Sequence, residues 1–116
     1  MLAKKSFLII SIIISIISLI FIYNELTIAH CDTLDGPVVT ACKKSLETGN
    51  INHTLIWVQD ADEPLIKESF EKTLKVRTLS DAARELADMN FYETVVRIHR
   101  KGEGASYDGL KPAGSN

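Results

Sequence analysis

Seventeen residues without a charge, "FLIISIIISIISLIFIY" at 7–23, decide how the rest of this chain must be read. As a helix rising 1.5 Å per residue the run reaches roughly 26 Å, close to the hydrocarbon thickness of a bilayer. Lys4 and Lys5 precede it, and "NELTIA" follows, ending in small residues. A basic start, an apolar middle and a small-residue end form the pattern of an export signal. Thr27 and Ala29 occupy the third and first positions before a cut after Ala29. Residues 1–29 therefore read as a signal peptide or, left uncut, as an N-terminal membrane anchor that crosses through 7–23. In both cases Lys4 and Lys5 hold the start inside, so the remainder is expected to be extracytoplasmic, membrane-anchored or secreted. Lipid attachment at Cys31 is not expected, because lipoprotein processing wants a small residue where His30 stands.

The remainder, 30–116, is long enough for one small domain with a modest core. Without Lys4, Lys5 and Glu25 it keeps 11 basic and 14 acidic residues, a net charge of −3. No basic patch appears, which argues against nucleic acid as a partner. "LDGPVVTACKKSLETGN" reads as a helix: Asp35 or Gly36 caps it, Pro37 suits the first turn, and Gly49 ends it. Cys42 falls on its apolar face and is expected to be a small core residue. "INHTLIWV" is short and apolar, either a two-turn helix capped by Asn52 or a strand. Asp62 caps "EPLIKESFEKTLKVR", whose Ile66, Phe70, Thr73 and Leu74 share a face. Its Glu and Lys residues recur at i,i+4 on the solvated side. Ser80 caps the longest helix, "DAARELADMNFYETVVRIHRK", with an expected buried row of Ala83, Leu86, Ala87, Phe91, Val95 and Ile98. Gly102 and Gly104 stop it. The expected fold is all-α, a small bundle of about four helical segments in a domain of residues 30–103, followed by a flexible tail over 104–116.

Candidate chemistry gathers where the leader ends, at His30, Cys31 and Asp32. Cleavage after Ala29 would free the His30 amine, and amine, imidazole and thiolate together make a metal chelate. His99 is the further candidate ligand, at the edge of the core row with Glu103 four residues on. Its structural alternative is a partly buried histidine bonded to a carboxylate or a backbone group. His53 reads as surface. A thiolate beside imidazole suits copper or zinc, with nickel also compatible. Cys31 and Cys42, eleven residues apart, lie outside the cytosol and are either bridged or free. The metal expectation therefore rests on His30, Cys31, Asp32 and His99. No phosphate loop, HExxH or GxSxG occurs, so no classical catalytic motif supports an enzyme.

The His-Cys-Asp start resembles the nickel hook of nickel superoxide dismutase, a helical bundle, over three residues. That hook needs a second cysteine close by, where this chain has Thr33, Leu34, Asp35 and Gly36, and the departure argues against the dismutase reaction. A wider set of motifs, "HCDTLDGPVV", "LETGN", "LIWVQ", "VRIHR-GEGA" and "GLKPAG", resembles a family of small exported bacterial proteins classed as a domain of unknown function. That resemblance implies export and helices but no activity. It also implies that longer members continue with a second helical half, making this chain a short or truncated one. The resulting expectation is an exported helical protein that binds a transition metal through its N-terminal cluster. The alternative is a non-catalytic, membrane-tethered interaction module whose partner docks around Trp57 or on a bundle face left open at the C-terminus.

Overall fold

The computed structural model describes residues 2–29 and 31–115 of the 116-residue chain. The fold is all-α, as the sequence leads one to expect. Its helices are α1 (Leu2–Ala29), α2 (Pro37–Thr48), α3 (Asn52–Leu55), α4 (Glu63–Val76) and α5 (Asp81–Gly102), with a 3-10 turn at Asp60–Asp62 leading into α4. No strand occurs among the described residues, where the β-type pairing is a single parallel bridge between Thr33 and Lys111.

Among its described side chains, α1 has no protein packed over the stretch Ala3–Ile20. Its large apolar side chains from Phe7 to Ile20 are each at least half exposed, and Ala3–Ile20 is long and apolar enough to cross a membrane. Two of the hydroxyls inside this stretch bond to the helix backbone itself. The Ser15 and Ser18 hydroxyls donate to the carbonyls of Ser11 and Ile14, both at 3.0 Å, so they need no water.

The other helices form one core around the second half of α5. Val38, Val39, Cys42 and Leu46 of α2 and Ile66 and Phe70 of α4 meet Phe91, Tyr92, Val95, Val96 and Ile98. The Phe70 and Phe91 rings lie 5.7 Å apart, tilted by 48°. Local signals explain the elements. Gly36 is the N-cap of α2, with Pro37 in the first turn. Gly49 ends that helix at φ 74°, a left-handed conformation that glycine adopts without a Cβ clash. Asp35 has a different task, accepting from the Gly114 amide at 3.0 Å. The Ser80 side chain caps α5 by accepting from the Ala83 amide at 3.0 Å. "INHTLIWV" forms neither a strand nor two turns: α3 is one turn, and Thr54 buries its hydroxyl against that of Ser45 at 2.7 Å.

Two expectations need revision. Leu86 is not part of the buried row; it is 75% exposed. Ala83 and Ala87, also expected in that row, are only half-buried; they share a side of α5 with the buried Phe91, Val95 and Ile98, and Leu86 falls about 120° around the helix from the centre of that side at 3.6 residues per turn. The stretch after Glu103 has a defined path rather than a loose one. Gly104, at φ 70°, lets the chain reverse, and Tyr107 and Leu110 pack against the core. The Lys111 amide then donates to the Asp32 carbonyl at 2.9 Å, and the Leu34 amide donates to the Lys111 carbonyl at 3.0 Å. The start and the end of the domain are thereby hydrogen-bonded to each other.

Candidate functional site

The seam between residues 31–33 and the last turn of α5 collects most of the residues singled out in the sequence. Cys31, Asp32 and Thr33 are all buried there, at 6%, 2% and 2% exposure. His30 lies outside the described residues. Asp32 faces two cations through Oδ2, Lys111 Nζ at 3.6 Å and Arg100 Nη1 at 4.0 Å, while its Oδ1 is buried with no hydrogen-bond partner. The Arg100 Nε donates to the Ser106 carbonyl at 2.6 Å, so the same guanidinium also fixes the returning tail.

His99 projects from the inner face of α5 toward the loop after α3. Its Nδ1 lies 2.6 Å from the Trp57 carbonyl, and the Trp57 ring meets the imidazole edge-on at a centroid distance of 5.7 Å. A carbonyl oxygen can only accept, so Nδ1 carries the proton and donates. The other nitrogen, Nε2, is buried without a hydrogen-bond partner and stands 3.6 Å from Glu103 Oε1. The sequence alternative of a histidine bonded to a backbone group is thus realised at Nδ1.

Burial pushes the Cys31 thiol above its ordinary pKa; Glu103 and Asp32 add to the rise, and Arg100 partly opposes it. The side chain is therefore a thiol at neutral pH, which is a poor nucleophile and a poor ligand until a cation compensates. Burial also pushes the Cys42 thiol up, to about 12. No disulfide joins the two cysteines, and both side chains are buried.

The structure thus brings Cys31, Asp32 and His99 to one end of α5. Among the described residues, however, no three His, Cys, Asp or Glu side chains are arranged to hold a metal ion. The expected use of Asp32 as a ligand meets a specific obstacle, because its carboxylate faces Lys111 and Arg100. His53 lies half-buried on α3. The residues that sequence reasoning missed are Arg100, Lys111 and Tyr107. Arg100 was findable as a charge next to the core row, but Lys111 sits in a turn-rich stretch with no periodicity to place it.

A family model described as a family of unknown function (DUF6448) matches residues 35–116, beginning just after the His30–Asp32 cluster. No curated protein and no solved structure matches the chain.

Proposed function

The chain belongs to the DUF6448 family of unknown function, which brings no reaction with it, and from that premise we propose that it is an extracytoplasmic helical binding module, delivered to the membrane by α1. The observation that carries this reading is the bare apolar surface of α1. Ala3–Ile20 is long and apolar enough to span, and none of it is covered by protein. The core helix of a soluble domain would be buried, whereas this one needs a membrane or an export channel around it. Lys4 and Lys5, on its N-terminal side, favour an orientation with residues 31–115 outside. Binding rather than catalysis is the better reading of the domain. Burial keeps Cys31 as a thiol, and the His99 Nδ1 proton is committed to a backbone carbonyl, so no activated nucleophile is in hand. Trp57 suits a docking anchor less than the sequence implies, since its ring packs on His99.

The test is an added C-terminal cysteine labelled on intact cells with a membrane-impermeant maleimide. Cys31 and Cys42 are buried and stay silent in the folded chain. Labelling of the added cysteine without lysis is expected, and labelling only after lysis overturns the topology. Sequencing the N-terminus of the same material separates the two forms: an intact Met1 marks the tethered protein, and His30 at position one marks the released protein.

A further inference from the structure

We propose that His99 and Glu103 form a proton-operated latch at the end of α5: a proton taken up at His99 Nε2 draws Glu103 onto the ring and fastens the chain reversal that follows. Nε2 is buried, on a residue only 7% exposed, and has no hydrogen-bond partner among the described residues. Glu103 Oε1 stands 3.6 Å from it, just past hydrogen-bond reach. The neutral ring, with Nδ1–H donated to the Trp57 carbonyl at 2.6 Å, presents a lone pair at Nε2. A lone pair and a carboxylate are both acceptors, so the neutral ring does not hold Glu103, whose side chain is 45% exposed. A proton from solvent turns Nε2 into a donor and the same pair into a charge-assisted hydrogen bond. Nδ1 donates to the Trp57 carbonyl in both states, so the ring keeps its place and only the Glu103 contact switches. No electron changes hands.

Glu103 sits where such a contact has leverage. It is the C-cap of α5, and its own amide donates to the His99 carbonyl at 3.2 Å. Gly104 follows at φ 70° and turns the chain back, and the Ala105 amide closes the reversal on the Arg100 carbonyl at 2.9 Å. The returning chain then reaches Lys111 and its backbone bonds to Asp32 and Leu34. The other ionisable groups at this end are engaged or neutral. Arg100 on α5 and Lys111 in the tail both face the Asp32 carboxylate of the N-terminal segment. Burial raises the Cys31 thiol and the Tyr107 phenol above their ordinary ranges, so both keep their protons. The loop after α3 offers the ring the Trp57 carbonyl, and its acid, Asp60, is exposed. That leaves Glu103 as the carboxylate that answers Nε2. Because Glu103 is partly exposed, the effect is of the modest size found for surface ion pairs. The latch is independent of membrane topology.

The full chain in detergent micelles is titrated from about pH 5 to about pH 8.5, the span in which imidazoles change charge. Nitrogen-15 NMR of the His99 ring reads the proton at each nitrogen. On the alkaline side Nδ1 is expected to keep its proton and Nε2 to be bare. Trp57, the one tryptophan in the sequence, is a second reporter. Its ring meets the imidazole edge-on at 5.7 Å, and an imidazolium quenches indole emission more than a neutral imidazole does. Glu103→Gln, with its fold checked by a melting curve, removes the charge and should lower the proton affinity of His99 at least about threefold. Amide exchange at Gly104 and Ala105 ties the proton to the reversal. On the acid side both amides are expected to exchange more slowly in the parent than in Glu103→Gln. Toward the alkaline side the difference should vanish or invert, because a glutamine amide can itself donate to the bare Nε2. The proposal is overturned if His99 takes up no proton in this range, if Glu103→Gln titrates as the parent does, or if the two chains differ in exchange by the same factor at every pH.

Discussion

Phe91 is fully buried against Phe70, and cutting it to alanine leaves a hole that no neighbour can fill. Phe91→Ala should cost about 3–5 kcal/mol, a large share of the roughly 5–15 kcal/mol that holds a domain together. Glu71→Ala, on the exposed side of α4, should cost under about 0.5 kcal/mol. Chemical denaturation of the two variants checks both values, and equal losses would show that the wrong face of α4 or α5 has been placed inside. Cys42 makes a second residue-scale test. Its thiol moves from an ordinary value of 9 up to about 12 on burial. Below pH 9 the folded and unfolded chains both keep the proton, so stability is unaffected there. Above it the unfolded chain releases the proton and the folded chain does not, so stability should fall as pH climbs from 9 toward 12. Tyr92, raised by burial from 10 to about 12, acts in the same direction from pH 10 upward. Melting temperatures across this range should drop, and Cys42→Ala should reduce the slope between pH 9 and 10. Cys42 and Phe91 were legible as core residues from helical spacing. Leu86 misled, because an apolar residue one position from a buried row looks like part of it until the neighbouring helix is known.

At the scale of elements, the joints between helices depend on single side chains. Arg77 follows the last turn of α4 and reaches both α5 and α2. Its Nε and Nη2 donate to the two Asp88 oxygens at 3.0 and 3.2 Å, and its Nη1 donates to the Leu46 carbonyl at 3.3 Å. Both side chains of the pair are mostly buried, at 18% and 13% exposure, and the fork geometry suits a carboxylate. Arg77→Ala should cost about 1.5–3 kcal/mol, the range for hydrogen bonds to charged groups. Arg77→Lys should restore little of it, because an ammonium cannot make the paired contact. Thermal melts of the two variants test this, and full rescue by lysine would reduce the joint to simple charge attraction. Caps and breakers such as Ser80 and Gly49 were readable because they act within a few residues of themselves. Arg77 and Asp88 were not, because eleven residues and a helix boundary separate them and only packing decides that they meet. His99 lies between these cases. Its place beside the core row showed in the sequence, but its Trp57 partner, 42 residues away, did not.

For the molecule as a whole, the defining feature is the closure of its ends. Residues 32–35 and 111–114 hold each other through two backbone hydrogen bonds and the Asp35–Gly114 contact. Lys111 places its charge beside the buried Asp32 carboxylate. Deleting residues 105–116 should lower the melting temperature and release the Leu34 amide, whose acceptor is the Lys111 carbonyl, to fast hydrogen exchange. Continued protection of Leu34 in the deleted chain would show that the ends are not what orders residues 31–35. This closure could not be foreseen from "GASYDGLKPAGSN", because isolated bridges leave no periodicity and turn residues serve ordered and loose segments alike. The same junction has a mechanical side. Helix α1 runs to Ala29 and Cys31 is already buried in the domain, so a single residue, about 3.5 Å of chain, joins the two. In the tethered form proposed above, the spacer between the membrane span and the domain is the rest of α1 after Ile20, nine helical residues or about 13 Å. The domain therefore works close to the bilayer, and whatever it captures must come near the membrane surface.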